Sequence, residues 1–184
     1  MTVRRACALF LVASLGCGSD GPAPEATADG GAPADGAVDD WTAGIVDLPA
    51  TGPAASVATL TDLRWAGHAA YDRVTLEFEG AALPAIHLEY IDRPVRRCGS
   101  GHPTPIEGDG WLEVRLSGAA AHDEAGAPTI TERESFPHLG NLWEIEITCD
   151  FEAEVVVVLG VGSPNPYRAL VLDRPARLAV DVRR

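Results

Sequence analysis

The sequence predicts an all-β domain: an antiparallel β-sandwich of about eight short strands with little or no helix. Three observations support this fold class. Apolar and polar residues alternate in short segments, glycine- and proline-bearing turns separate those segments, and the chain lacks the periodicity of a long helix. Strict alternation is typical of strands with one face in a core and the other in solvent. The apolar faces of these segments are Val74, Leu76 and Phe78; Ile86, Leu88 and Tyr90; Leu112, Val114 and Leu116; Trp143, Ile145, Ile147 and Cys149; and Leu178, Val180 and Val182.

Three further segments complete the set of predicted strands. Residues 57–65 and 168–172 follow the alternation less strictly. Residues 155–159 are continuously apolar. An unbroken apolar run of this length indicates a central strand that is covered on both faces.

Charge and composition limit the class of partner. The chain has 184 residues, with 27 acidic and 14 basic residues, every basic one an arginine, and a formal net charge of −13. Such a balance argues against a nucleic-acid partner, because phosphate contacts need clustered positive charge. Apolar residues make up 46% of the chain, which is enough to build the core of one domain. We expect a monomer.

An export signal is predicted for residues 1–16. Two arginines precede an apolar run over residues 6–16, which has the length of a signal-peptide core and is too short to span a bilayer. Residues 14–17, Ser-Leu-Gly-Cys, resemble a bacterial lipoprotein processing box. The resemblance implies that cleavage leaves Cys17 at the N-terminus and that lipid attached there anchors the protein to a membrane. The alternative is an ordinary secreted protein in which Cys17 is a free thiol.

Residues 17–53 are predicted to form the lipidated cysteine and a disordered tether. Alanine, glycine, proline and aspartate dominate this segment, and it contains no basic residue. A segment of this composition buries too little apolar surface to offset the entropy lost on ordering. An alternative for one part of it is that Trp41 and Ile45 dock as a short linear motif. The folded domain is predicted to comprise residues 54–184.

Cys98 and Cys149 remain as an even pair once the signal is removed and Cys17 carries lipid. Oxidising compartments favour a disulfide between them. Cys149 falls on the apolar face of its segment, and Cys98 opens the glycine-rich stretch 98–103, so a bridge would pin this stretch to the core. Two buried thiols, or a metal site with His102, are the alternatives. The absence of a CxxC motif or a close Cys/His pair gives the metal site no support.

Three consecutive residues, His122, Asp123 and Glu124, invite a general-base or metal-binding interpretation. General catalysis needs a group held against a substrate in a cleft, and consecutive loop residues seldom converge on one point. We therefore interpret them as a solvated turn. Ser100 stands in Gly-Ser-Gly and lacks the G-x-S-x-G arrangement of a nucleophile elbow. We expect a noncatalytic protein with no metal and no other cofactor.

The basic cluster beside the glycine-rich stretch is the best candidate for a binding patch. Guanidinium groups suit the carboxylates of a peptide or an acidic partner, and tryptophan rings suit sugar faces. The candidate patch consists of Arg93, Arg96, Arg97, Ser100, His102 and Trp111. The simpler interpretation is that the arginines are a solvated strand end and that the tryptophan packs on the domain.

The domain also carries a series of short motifs. They are Tyr-Asp-Arg-Val at 71–74, Leu-Glu-Phe-Glu-Gly at 76–80, Tyr-Ile-Asp-Arg-Pro at 90–94, Gly-Ser-Gly at 99–101, Leu-Glu-Val-Arg-Leu at 112–116, Ala-His-Asp at 121–123, Asp-Phe-Glu at 150–152, Val-Leu-Gly-Val-Gly at 158–162, Tyr-Arg at 167–168 and a closing segment at 173–182. In this order and spacing, over about residues 57–182, they resemble the AMIN-like domain of bacterial envelope lipoproteins, a relative of the AMIN domain. The family tends to have an acidic residue at position 98 and a small one at 149. The paired cysteines here therefore favour a bridge particular to this sequence. Ala153 is a second departure, because glycine usually follows the Asp-Phe-Glu triplet.

The resemblance implies a compact sandwich that binds in the cell envelope and carries no known catalytic residues. AMIN domains proper localise periplasmic proteins through peptidoglycan or partner-protein contacts. We therefore expect a lipid-anchored, exported protein that binds peptidoglycan. The alternative is an assembly module that recognises an envelope protein through a strand edge or loop. The Gly-Ser pair after Cys17 resembles the outer-membrane sorting signal of cells with two membranes.

Overall fold

The computed structural model describes residues 38–53 and 56–184, and these residues form twelve strands and no helix. The strands are β1 (Val38–Thr42), β2 (Val46–Leu48), β3 (Ala58–Gly67), β4 (Tyr71–Phe78), β5 (Ala85–Ile91), β6 (Gly110–Ser117), β7 (Ala119–Ala120), β8 (Glu134–Ser135), β9 (Leu142–Phe151), β10 (Glu154–Val161), β11 (Tyr167–Leu172) and β12 (Arg177–Arg183). The predicted signal segment 1–16, the predicted lipid attachment at Cys17 and the predicted tether as far as residue 37 lie outside the described residues.

The strands form two six-stranded sheets. The first sheet has the order β1-β11-β12-β4-β3-β7 and the second has the order β2-β5-β6-β10-β9-β8. Every pairing is antiparallel except that of β3 with β7. The predicted all-β sandwich is confirmed, and the eight predicted segments correspond to the eight longest strands. The four additional strands are two to five residues long and lie at the sheet edges, where too few residues alternate to give a sequence signal.

The core lies between the two sheets and is built mainly from the apolar faces that the alternation predicts. At the start of β9 a register shift places Leu142, and not the predicted Trp143, in the core. Leu76, Leu112, Leu159 and Leu178 are fully buried in it. Each buried leucine of this kind contributes about 1.5–3 kcal/mol relative to an exposed one. The hydroxyl of the buried Tyr167 in β11 donates a hydrogen bond of 2.9 Å to the Leu88 carbonyl in β5, which links the two sheets through the core.

The predicted tether boundary at residue 53 is wrong, because residues 38–48 contribute strands to both sheets. Strand β1 pairs with β11, and β2 pairs with β5. Val46 and Leu48 are buried in the core cluster. The sequence left open whether Trp41 and Ile45 dock on the domain. Trp41 does pack on it, whereas Ile45 remains 62% exposed.

Strand β10 is covered on both faces, as its continuous apolar sequence predicts. Val155, Val157 and Leu159 belong to the core between the sheets. Val156 and Val158 face the opposite way and belong to a second, smaller apolar cluster on the outer face of the second sheet.

Candidate binding surfaces

The second apolar cluster exists because a long loop, residues 92–109, lies over the outer face of the second sheet. We call it the cover loop. Val95 and Ile106 of the cover loop pack on Val156 and Val158 of β10 and are themselves buried. The glycine-rich stretch is the turn of this loop, and its residues are exposed.

The turn is closed by its own backbone. The Arg97 N–H donates to the His102 carbonyl at 3.0 Å, and the Gly101 N–H donates to the Arg97 carbonyl at 3.0 Å. Gly99 and Gly101 have φ values of 69° and 65°. This left-handed region favours glycine, so the Gly-Ser-Gly motif encodes the turn.

A disulfide joins Cys98 of the cover loop to Cys149 of β9, with a Cα–Cα distance of 5.1 Å, which confirms the predicted bridge. The expectation that Cys149 faces the core is wrong. Cys149 lies opposite Val156 whereas Ile147 lies opposite Val157, so β9 carries one extra residue between them. This bulge turns Cys149 to the outer face, where the cover loop reaches it.

Two members of the predicted binding patch pack against each other. The guanidinium carbon of Arg93 lies 4.1 Å from the ring centroid of Trp111. The same guanidinium donates to the Ile106 and Gly108 carbonyls at 3.1 and 3.2 Å, and the Trp111 indole N–H donates to the Ile106 carbonyl at 3.1 Å. These contacts hold the base of the cover loop on β6. For Arg93 and Trp111 the structure therefore supports a role in packing.

The other members lie at the exposed turn of the cover loop. The Arg96 side chain donates to the Gly101 carbonyl at 2.8 Å, and the Ser100 hydroxyl accepts the His102 N–H at 3.2 Å. Arg96, Ser100 and His102 are all exposed. These three members of the predicted patch therefore lie together on one turn, although much of their hydrogen-bonding capacity holds that turn together.

Arg97, the remaining member, forms an ion pair with Glu146, whose position in the alternating pattern predicts a solvent-facing side chain. Its guanidinium is 51% exposed and contacts the Glu146 carboxylate of β9, which is 1% exposed. The Thr104 hydroxyl donates to the same carboxylate at 3.0 Å. Burial raises the pKa of Glu146, although the hydrogen bond from Thr104 and the charge of Arg97 oppose that rise.

Glu144 lies beside Glu146 on the same outer face of β9 and is equally buried. Its Oε2 accepts the backbone N–H of Glu107 in the cover loop at 2.6 Å. Burial raises the pKa of Glu144, the Glu107 N–H opposes the rise, and neighbouring carboxylates add to it. Gly160 permits this approach, because a Cβ at that position would lie 2.0 Å from the Glu107 carbonyl oxygen.

A second outer surface, on the first sheet, combines aromatic rings with arginines. Arg168, Asp181 and Arg73 lie side by side across β11, β12 and β4. Asp181 is fully buried, and its carboxylate accepts hydrogen bonds of 2.6 and 2.9 Å from Arg73 and of 2.9 Å from Arg168. The carboxylate therefore fixes both guanidinium groups on this face.

The aromatic rings of this surface pack on the same arginines. The guanidinium carbon of Arg168 lies 4.8 Å from the centroid of the Trp41 ring, and that of Arg183 lies 4.6 Å from it. Tyr71 lies 6.1 Å from Trp41 between ring centroids, and Arg73 lies 5.4 Å from the Tyr71 centroid. These five residues define what we call the Trp41–Tyr71 surface. Sequence reasoning missed it because Trp41 fell in the predicted tether, although three of its members stand in or beside the Tyr-Asp-Arg-Val and Tyr-Arg motifs.

The three consecutive residues that resembled a catalytic or metal motif line one groove, but the first two make contacts elsewhere. The His122 Nδ1 lies 2.8 Å from Asp150 of β9. The Asp123 carboxylate instead accepts the N–H groups of Ala125 and Ala127 at 2.9 and 2.8 Å and so closes its own turn. Asp123 therefore lies in a turn, and the first two of the three side chains are engaged within the fold.

The described residues thus form an all-β sandwich with two outer surfaces that present arginine and aromatic side chains. A family model described as the AMIN-like domain matches residues 58–184. The chain belongs to the AMIN-like domain family, which confirms the resemblance that its motifs indicate. AMIN-like domains are associated with the cell envelope. Strands β1 and β2, and with them Trp41, precede the matched range.

No curated protein and no solved structure is significantly similar to the chain. Within residues 38–53 and 56–184, no helix has the length and apolar character needed to cross a membrane.

Proposed function

We propose that the protein is a lipid-anchored, noncatalytic component of the cell envelope whose sandwich domain binds peptidoglycan. Family membership supports the envelope location. The observation that carries the binding proposal is the position of Trp41 on the outer face of the first sheet, where its ring centroid lies 4.8 and 4.6 Å from the guanidinium carbons of Arg168 and Arg183. The lipid anchor rests on Cys17 and the apolar run before it.

The chemistry of the Trp41–Tyr71 surface suits a polymer of sugars that carries acidic peptides. Half-buried aromatic rings present a flat apolar face to a sugar ring and keep their position through the contacts beneath them. Guanidinium groups recognise carboxylates by paired hydrogen bonds. Arg183 is exposed and forms no ion pair with another described residue, so its donors face solvent.

The noncatalytic part of the proposal rests on how the titratable side chains are engaged. His122 contacts Asp150, Asp123 closes its own turn, and Asp181 is enclosed by two arginines. His122 and Asp123 border a groove of about 320 Å³, but each is already engaged by these contacts, whereas general acid–base catalysis needs a group free to exchange a proton with a substrate.

Co-sedimentation of the purified full-length protein with isolated sacculi tests the binding proposal. We expect Trp41→Ala and Arg183→Ala each to weaken binding by about tenfold, the loss of roughly 1.4 kcal/mol expected for one stacking or charge-assisted contact. Trp65→Ala is the matched control, since it removes a partly exposed tryptophan from another part of the same sheet. Absence of binding by the wild-type protein would overturn the proposal.

The same assay separates the two outer surfaces. If Arg96→Ala weakens binding and Trp41→Ala does not, the binding site is the turn of the cover loop. Breakdown of the sacculi by the wild-type protein would contradict the noncatalytic assignment. Incorporation of labelled palmitate, lost in Cys17→Ser, tests the anchor.

A second function, recognition of an envelope protein, is favoured by the edge of the first sheet. Strand β7 pairs only with Ala58 and Thr59 of β3. The rest of β3 has no strand neighbour on that side among the described residues. A groove of about 200 Å³ lies there beside Trp65, which is 37% exposed. An extended partner segment would add to this edge by backbone hydrogen bonding. A photo-crosslinker placed at position 65 should then capture an envelope protein. If it captures none while the protein still binds sacculi, this second function is contradicted.

A further inference from the structure

Three glutamates converge on the outer face of the second sheet. Glu134 of β8 lies directly opposite Glu146 of β9, and Glu144 precedes Glu146 by two residues on the same face. One carboxylate oxygen from each of the three lies within 4.8 Å of the others. Strand pairing thus brings together residues that are ten and twelve positions apart in sequence.

This arrangement carries an excess of negative charge in a poorly solvated place. Glu144 and Glu146 are each 1% exposed, whereas Glu134 is exposed. Like charges directly opposite each other on neighbouring strands repel, and each buried carboxylate loses several kcal/mol of solvation. Among the described residues, one ion pair offsets this charge, that of Arg97 with Glu146.

The surroundings of the cluster add further negative charge. The Glu107 carboxylate, at the end of the cover loop, raises the pKa of Glu144 by its charge. Its nearest basic group is the His138 Nδ1, at 3.7 Å from the Glu107 carboxylate. The cluster therefore contains more carboxylates than the nearby cations can neutralise.

A further observation indicates a missing partner within this cluster. The Oε2 atom of Glu144 accepts the Glu107 N–H, but its Oε1 atom is buried without a hydrogen-bond partner among the described residues. Buried polar atoms are nearly always satisfied, and an orphaned carboxylate oxygen needs an explanation such as an ion. The alternative is a protonated Glu144 whose O–H donates to a neighbouring carboxylate of the cluster, and the titration described below separates it from a bound ion.

We propose that Glu134, Glu144 and Glu146 bind a hard divalent cation, and we assign it to Ca²⁺. All three ligands are carboxylate oxygens, the donor type that Ca²⁺ and Mg²⁺ prefer over the softer transition metals. Ca²⁺ accepts irregular geometry and completes its coordination with water and bidentate carboxylates. Mg²⁺ dehydrates reluctantly and is usually held by one or two carboxylates with several waters, so a site of three carboxylates favours Ca²⁺.

The cation would also act on the cover loop. Glu144 and Glu146 are the residues of β9 that hold the Glu107 N–H, the Thr104 hydroxyl and the Arg97 guanidinium of that loop. A bound ion fixes both carboxylates in one arrangement and so stabilises the loop above them. This inference does not depend on the proposed peptidoglycan binding.

Ca²⁺ titration of the chelator-treated full-length protein, at constant ionic strength, tests the site. We expect saturable one-to-one binding and a rise in Tm of about 5 °C at saturating Ca²⁺. Tb³⁺ provides a second readout, since Trp143 neighbours Glu144 in sequence and can sensitise its luminescence. Failure to bind Ca²⁺ or Tb³⁺ would overturn the proposal, and tighter saturable binding of Mg²⁺ would overturn the assignment to Ca²⁺.

Three variants locate the ion. Glu134→Gln changes an exposed side chain and should weaken Ca²⁺ binding at least about tenfold without affecting folding. Glu144→Gln removes a buried charge at nearly constant shape and should abolish the Ca²⁺-dependent rise in Tm. Glu132→Gln is the matched control, an exposed glutamate two residues from Glu134, and should bind Ca²⁺ like the wild type. Equal Ca²⁺ affinity in Glu134→Gln and the control would exclude this site.

Discussion

Arg97 of the cover loop forms an ion pair with Glu146 of β9, and the two side chains differ sharply in exposure. The guanidinium is 51% exposed, whereas the carboxylate is 1% exposed. An arginine that looks from the sequence like part of a solvated basic patch therefore neutralises a buried charge of β9. It follows that Arg97 and its neighbour Arg96 have different roles.

Replacing Arg97 by alanine should destabilise the protein, because Glu146 would remain buried with no cation beside it. Loss of one partner of a fully buried pair costs 3–5 kcal/mol, and the exposure of Arg97 reduces the expected loss to about 2 kcal/mol. Urea denaturation of the chelator-treated protein, followed by tryptophan fluorescence, measures this difference in the free energy of unfolding.

Arg96→Ala is the control for that measurement, since its guanidinium contacts a carbonyl of its own exposed turn. Its free energy of unfolding should stay within about 0.5 kcal/mol of the wild type. Equal losses in the two variants would show that the ion pair with Glu146 contributes no special stability.

The disulfide should stabilise the fold mainly by restricting the unfolded chain. Cys98 and Cys149 are 51 residues apart, and closing a loop of that length is worth about 4 kcal/mol in the chain-entropy model. We expect a reducing agent to lower the Tm of the wild type substantially. The double variant Cys98→Ser with Cys149→Val should have a Tm below that of the oxidised wild type, and a reducing agent should leave that Tm unchanged. A wild-type Tm that does not respond to complete reduction would contradict this prediction.

The long strands and the covering of β10 could be predicted from sequence because burial leaves a direct pattern there. Leu76, Leu112 and Leu178 alternate with polar residues along strands of seven or eight residues. A strand of that length gives several repeats of the pattern. Strand β2 has only Val46 and Leu48, and two apolar residues among alanines and glycines cannot be distinguished from a linker.

The candidate sites were harder to predict because both depend on contacts between distant parts of the chain. Glu144 and Glu146 alternate with apolar residues like a solvent-facing set, and only the cover loop makes them buried. The apolar run of β10 was a usable signal, since it showed that something covers this side of the sheet. Trp41 meets Arg168 and Arg183 through strand pairing that no local motif encodes.

Ala153 occupies a backbone conformation that favours glycine, so Ala153→Gly should stabilise the protein. Glu152 and Ala153 form the two-residue turn between β9 and β10, with φ values of 51° and 59°. Turns of this kind need positive φ at both positions. The left-handed conformation costs a residue with a Cβ about 1–2 kcal/mol, and glycine avoids this cost. The greater entropy of glycine in the unfolded chain offsets part of the stability gained.

The expected net gain is about 1 kcal/mol, which corresponds to a rise in Tm of about 3 °C. Ala81→Gly serves as the control, because Ala81 is exposed and is not among the residues with positive φ. That substitution should leave the Tm unchanged or lower it slightly. A Tm for Ala153→Gly no higher than that of the control would count against the strain argument.

Asp150 should make folding stability depend on pH in the acid range. Burial alone would raise the pKa of this carboxyl, but hydrogen bonds from the Ala121 N–H, Arg133 and His122 hold the pKa below its ordinary value of 3.8. A carboxyl whose pKa is lower in the folded state stabilises folding above its unfolded pKa. That stabilisation is lost as the pH falls below about 3.8 and through the folded pKa.

Asp150→Asn removes this titration while nearly preserving the shape of the side chain. At neutral pH we expect it to lose about 2 kcal/mol, because the charge-assisted bond from Arg133 at 2.7 Å is lost and an amide group is left against the guanidinium. The gap between wild type and variant should narrow as the pH falls from 5 to 2, since the wild-type carboxylate becomes protonated. Asp92→Asn, at an exposed position, is the control and should follow the wild type throughout. A gap of constant size across this pH range would show that the contribution of Asp150 does not come from its charge.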